Sequence, residues 1–118
     1  LVLCSPARRA RETLERLGLS GAETHVEDEL YGAEREDLLA RLHEVPEATI
    51  SAAVIGHNPG MHDLAIELAG SGLDEQAERV REKFPTGAVA VFAFDGPWRD
   101  LERGRATLTS FVVPREIG

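Results

Sequence analysis

Three features of the sequence predict an α/β fold: strand-like and helix-like segments alternate, a near-continuous apolar run occupies 49–56, and two apolar runs close the chain with no helix between them. The expected architecture is three layers, a mostly parallel sheet with helices on both faces and an antiparallel edge formed by the last two strands.

Residues 1–4, "LVLC", read as a short buried strand. Ser5-Pro6 then opens a helix, since serine is a good N-cap and proline suits the first helical position, where its absent N–H costs nothing. Ala7, Ala10, Leu14 and Leu17 recur at helical spacing, and Gly18 marks the stop. The segment 23–32, "ETHVEDELYG", reads as a short strand running into a loop. A second helix follows, with Leu38, Leu39 and Leu42 on its apolar face and Pro46 beyond its end.

The run "TISAAVIG" at 49–56 has the pattern of a strand covered on both faces. Asn58 is placed to cap the next helix, Pro59 to occupy its first position, and Met61, Leu64, Ala65 and Leu68 to form its buried stripe. Leu73, Ala77, Val80 and Phe84 predict a further amphipathic helix. "AVAVFAF" at 88–94 is a strand, "DGPW" a turn, and "ATLTSFVV" at 106–113 a closing strand ended by Pro114.

The 118 residues suit a single domain, 1–118, with 42% hydrophobic and 29% charged residues. No apolar run approaches a membrane span and no signal-peptide pattern is present. A formal net charge of −8 argues against a nucleic-acid partner, which would want a basic face. With Cys4 as the single cysteine, an internal disulfide and a cysteine-clustered zinc site are both excluded, and a cytoplasmic location is expected. The chain opens within a strand and without Met, so a segment preceding Leu1 is also expected.

In doubly covered parallel sheets, ligands sit beyond the carboxyl ends of the strands. Two such ends, "LVLC-SP" and "AVIG-HNP", share one grammar: strand, capping residue, then proline at a helix start. Each sets helical N–H groups at that edge, where they favour an anion. The first adds Arg8, Arg9 and Arg11, and the second adds His57. If the two strands are neighbours, guanidinium and imidazole converge on one pocket suited to a phosphoryl group. Helical periodicity does not choose among the three arginines, and Arg11 lies nearer the apolar stripe than Arg9 does.

Structural readings stand beside these. A histidine at a strand end also serves as a cap, and an arginine in a first turn is often merely solvated. His62 follows His57 by five residues, so the pair cannot share a helix face as zinc-binding histidines would. Asp63 reads as a surface residue, and His25 and His43, in charged surroundings, as exposed. Cys4 reads as a small buried hydrophobe: Arg9 comes one residue too early for a cysteine-phosphatase loop, and Pro6 removes an N–H that such a loop needs.

Taken in order, "LVLCSPARRARETLE", "GHNPGMHDLAIELAG", "FPTGAVAVFAF" and "FVVPR" resemble the later segments of SixA-type phosphohistidine phosphatases. These belong to the histidine phosphatase superfamily, which also holds the cofactor-dependent phosphoglycerate mutases. The resemblance implies a phosphoglycerate mutase-like fold and a phosphatase acting through a phosphohistidine enzyme intermediate, with no metal and no cofactor. It places the pocket arginine on Arg9 and the second pocket histidine on His57; Asn58 is expected as a phosphate ligand from the loop itself, whose strand-end placement, cap and Pro59 read as an anion cradle. The implied substrate is a phosphohistidine-bearing protein or a small phosphorylated molecule.

The family's nucleophile sits in an Arg-His-Gly motif on its first strand, and this sequence has no such triplet. The expectation is therefore that the nucleophile lies upstream of Leu1 and that 1–118 is the C-terminal part of the domain. Taken alone, the chain is better described as a non-catalytic phosphate-binding or interaction module of the same fold. By itself 1–118 is expected to be inactive, because an arginine and a histidine can bind phosphate but nothing in 1–118 can become phosphorylated. Mutase-like relatives place a glutamate before a Tyr-Gly pair. Asp28 and Glu29 precede Tyr31-Gly32, and they stand as either the general acid or solvated loop acids.

Overall fold

At the centre of a three-stranded parallel sheet lies β1 (Val2–Cys4), flanked by β2 (Thr24–Val26) and β3 (Ala53–Ile55) in the order β2-β1-β3. This computed structural model describes all residues except 19–20, 71–74, 86–87, 103–105 and 113–118. The helices are α1 (Arg8–Leu17), α2 (Arg35–His43), α3 (Gly60–Ala69) and α4 (Glu75–Glu82), and 3-10 turns occupy Asp28–Leu30 and Trp98–Asp100. An antiparallel pair, β4 (Val89–Phe94) with β5 (Ala106–Val112), completes the described chain.

Alternation along β1 sorts the layers. Val2 and Cys4 point to one face and pack with Ala10 and Leu14 of α1 and with Ile55. Leu3 points the other way, into a larger core with Leu38 and Leu42 of α2, Leu64 and Leu68 of α3, and Leu101. A third cluster joins Ala65 of α3, Val80 of α4 and Phe111 of β5. Helices therefore cover both faces of the parallel sheet, as the alternation predicted. Burial also holds the Cys4 thiol up, outweighing the Arg11 charge that pulls it down, so this cysteine is a core residue. No helix among the described residues is long and apolar enough to cross a membrane.

Several local expectations are corrected. Among the described residues, β4 and β5 form a sheet of their own and do not extend the edge of the parallel one. The apolar run at 49–56 yields only three strand residues, and Ile50 is 98% exposed, so its hydrophobicity is not a burial signal. The helix expected from Ser5-Pro6 begins at Arg8, because Ala7 keeps an extended backbone (φ −61°, ψ 147°). Gly18 does stop that helix, in the left-handed conformation (φ 62°). His43 is half-buried, its Nε2 2.7 Å from the Leu101 carbonyl, whereas His25 is exposed beside Glu23 and Glu27 as expected. His62 bonds the Val80 carbonyl and stacks on Phe84, a structural role. Leu73 and Pro114 lie outside the described residues.

Candidate active site

The carboxyl ends of β1 and β3 are fastened side by side. Ser5 N–H donates to the Ile55 carbonyl at 2.9 Å, and on the other side Glu27 N–H donates to the Cys4 carbonyl at 2.9 Å. That pairing sets Ser5 against the Gly56-His57 turn, although 52 residues separate Ser5 from His57. The Ser5 Oγ lies 2.7 Å from His57 Nε2. The exposed Tyr31 stands edge-on to the imidazole, ring centroids 5.6 Å apart.

Two cavities meet at His57 and Gly32. The first, about 420 Å³, is lined by Ala7, Arg8, Arg9, Tyr31, Gly32 and His57. The second, about 460 Å³, runs past Ala33, Glu34, Arg35, Glu36, Asn58, Pro59, Gly60 and Asp63. Gly60 lets the two walls approach: a Cβ there would run into the Ala33 carbonyl oxygen.

Electrostatics distinguish the cavities. The first turn of α1 contains no acidic residue, and Arg8 and Arg9 open it. A cation at a helix N-terminus is unfavourable against the dipole, and the free first-turn N–H groups add to the positive potential. Arg8 has an ion-pair partner, Glu12 at 3.0 Å. Arg9 has none among the described residues, so its charge is available in the cavity it shares with His57. The second cavity carries Glu34, Glu36 and Asp63 against one arginine, Arg35, which Glu36 already holds at 2.8 Å. Of the two, the first has the charge balance more favourable to an anion.

The residues read from the sequence divide accordingly. His57 and Arg9 are brought together. Asn58 lines the second cavity, but its carboxamide is engaged elsewhere: Nδ2 donates to the Phe84 carbonyl at 2.7 Å, and Oδ1 accepts the His62 N–H at 3.1 Å. It thus holds the start of α3, one residue ahead of Pro59, which itself precedes the first helical residue. Asp28 and Glu29 lie on the 3-10 turn before Tyr31 and line neither cavity. Of the three arginines, Arg11 also lines neither. Sequence reasoning missed Ser5 as a partner of His57 and Tyr31 as a wall. The only local signal for Tyr31 was its place in the Tyr-Gly turn.

Among the described residues, no group of three or more His, Cys, Asp or Glu side chains is arranged to hold a metal ion. No family model matches the chain. It is 43% identical over 116 residues to an uncharacterized protein of Mycobacterium tuberculosis, covering 97% of this chain and 73% of that one. A Mycobacterium leprae protein is 36% identical over 115 residues, covering 97% and 71%. Among solved structures, the "putative phosphohistidine phosphatase SixA" of Nakamurella multipartitia superposes with a TM-score of 0.84 at 32% identity, over 96% of this chain and 69% of that chain. The chain belongs to the SixA-type histidine phosphatase family.

An Agrobacterium tumefaciens structure given the same SixA description matches with a TM-score of 0.64 at 28% identity, over 97% of this chain and 67% of that one. The three-stranded parallel sheet, the antiparallel pair and the four described helices are accordingly a SixA-type, phosphoglycerate mutase-like arrangement.

Proposed function

We propose that this chain supplies the phosphoryl-holding part of a phosphohistidine phosphatase. The observation that carries this is the shared cavity of His57 and Arg9, with Arg9 unpaired among the described residues at an acid-free helix N-terminus. A planar guanidinium matches phosphoryl oxygens bidentately and stays charged throughout the reaction. His57, which lines the same cavity, adds a second donor. Donors fixed before the reaction stabilise charge that gathers on the oxygens in the transition state.

In this proposal a nucleophilic histidine, contributed by a segment preceding Leu1, attacks phosphorus. The bond from phosphorus to the substrate nitrogen breaks as the new phosphorus–nitrogen bond forms, and the leaving nitrogen takes up a proton. Water then attacks phosphorus, releasing inorganic phosphate and restoring the histidine. The acidic second cavity accepts the rest of the substrate, consistent with a phosphohistidine-bearing protein or a small phosphorylated molecule. Asp28 and Glu29 line neither cavity. Glu34 does, but its carboxylate accepts the Asp37 N–H in a capping box, so none of these acids has a geometric claim to the leaving-group proton.

A second reading rests on one observation: 1–118 contains no Arg-His-Gly triplet. On that reading the protein binds phosphate or a phosphorylated partner without turnover. The full-length protein assayed on a phosphohistidine peptide separates the two. Turnover is expected, and His57→Ala should lower it by about 10²-fold or more. A near-wild-type rate in that variant would sink the site assignment. Phosphate binding without turnover would favour the module.

A further inference from the structure

We propose that Ser5 is a positioning residue that fixes the proton of His57 on Nδ1, the ring nitrogen left for the cavity. This rests on the reading of His57 as a phosphoryl ligand. Ser5 is fully buried, and its Oγ has two partners among the described residues. It accepts the Ala7 N–H at 3.3 Å, and it meets His57 Nε2 at 2.7 Å. A hydroxyl has one proton to give and two lone pairs. With no exposure to solvent, that proton has Nε2 as its acceptor, and leaving it undonated would carry the cost of a buried unsatisfied donor. Nε2 of the neutral ring therefore bears the lone pair, and Nδ1 bears the hydrogen.

Nδ1 has no hydrogen-bond partner among the described residues, and the ring lines the cavity shared with Arg9. In the charged ring Nδ1 also carries a proton, so the cavity meets a donor in either state. A phosphoryl oxygen requires just that. The same hydroxyl ties His57 to the N–H of Ala7, directly ahead of Arg8 and Arg9. It thereby links His57 to the start of the helix that carries Arg9.

The test is long-range ¹⁵N–¹H NMR on the histidine-labelled protein, at a pH where its own titration shows His57 neutral, with His57→Ala for assignment. The expected result is the Nδ1–H tautomer in the wild type and in Ser5→Thr, which keeps the hydroxyl. In Ser5→Ala the ring should relax toward Nε2–H, and the dissociation constant for inorganic phosphate should rise about 3- to 10-fold. An Nε2–H tautomer in the wild type overturns the proposal, because Ser5 would then be accepting. So does a Ser5→Ala protein with unchanged tautomer and phosphate affinity. If Ser5→Ala fails to fold, the wild-type and Ser5→Thr spectra still decide. An Nδ1–H wild type that binds no phosphate overturns the phosphate reading of the site and leaves the Ser5-set tautomer standing.

Discussion

Replacing Arg9 by alanine should make the free protein more stable and its phosphate binding weaker. Arg8 and Arg9 are the first two residues of α1, and no acidic residue shares that turn. Each cation there opposes the helix dipole at a cost of about 0.3–1 kcal/mol. Arg8 recovers part of this through its (i, i+4) pair with Glu12 at 3.0 Å, a contact of the kind worth about 0.3–0.5 kcal/mol. Arg9 has no such offset among the described residues. Arg9→Ala should therefore raise the melting temperature by about 1–4 °C in dilute, phosphate-free buffer, at the several degrees per kcal/mol expected for a domain of this size. In the same variant, a charge-assisted pair of hydrogen bonds to phosphate is gone, which should weaken phosphate binding about ten- to hundredfold. Thermal unfolding with phosphate titrated in reads both effects, since a ligand bound only to the native state raises the midpoint by mass action. Arg8→Ala is the control: little change in stability and a smaller loss of the phosphate-induced shift. An Arg9→Ala protein that melts lower without phosphate and shifts like the wild type with it would refute the reasoning, since Arg9 would then be a structural residue.

Two other predictions concern the frame around the site. Gly60→Ala should destabilise the fold by about 1–3 kcal/mol or more, because its Cβ meets the Ala33 backbone carbonyl, which cannot swing aside as a flexible side chain could; chemical denaturation measures it, and a loss below about 0.5 kcal/mol would show that the 31–34 loop yields freely. The bidentate hydrogen bonds from Arg41 to Glu27, at 2.7 and 2.9 Å, hold the Glu27 carboxyl below its usual value of 4.5. A group depressed in the folded state contributes stability that is complete above its unfolded value and lost as pH falls through its folded value. Acidification below about pH 4.5 should thus remove about 1–2 kcal/mol from the wild type, whereas Glu27→Gln should already lack it at neutral pH and change less over that range. Parallel stability–pH curves for the two proteins would contradict the assignment.

What the sequence disclosed follows from which interactions are local. Ala10, Leu14 and Gly18 reported α1 and its end, because helical periodicity and a left-handed stop are written within a few residues. Val2, Leu3 and Cys4 reported a short buried strand, since an unbroken apolar run is likewise local. Ser5 could not be read locally. Its hydroxyl is placed by the pairing of β1 with β3, and no spacing rule connects positions 5 and 57. Proline misled at Pro6, whose fixed φ suits both a helix start and the extended backbone that actually continues through Ala7. The His43 bond to the Leu101 carbonyl and the exposure of Ile50 are likewise decided by tertiary neighbours.

The two strand-to-helix junctions, alike in sequence, are unlike in chemistry. At the second, the Asn58 carboxamide already accepts the His62 N–H, and Asp63 brings a carboxylate into the first turn of α3. Both changes lower the positive potential that an anion would seek. At the first, Ser5 takes the Ala7 N–H but leaves the following turn free of acids and supplied with two arginines. In the proposed function the anion site is built on the β1 junction and takes His57 from the β3 junction, where Asn58 holds the start of α3. His57 and Gly32 line both cavities, so the proposed function assigns the phosphoryl group to the arginine-bearing cavity and the remainder of the substrate to the acidic one beside it.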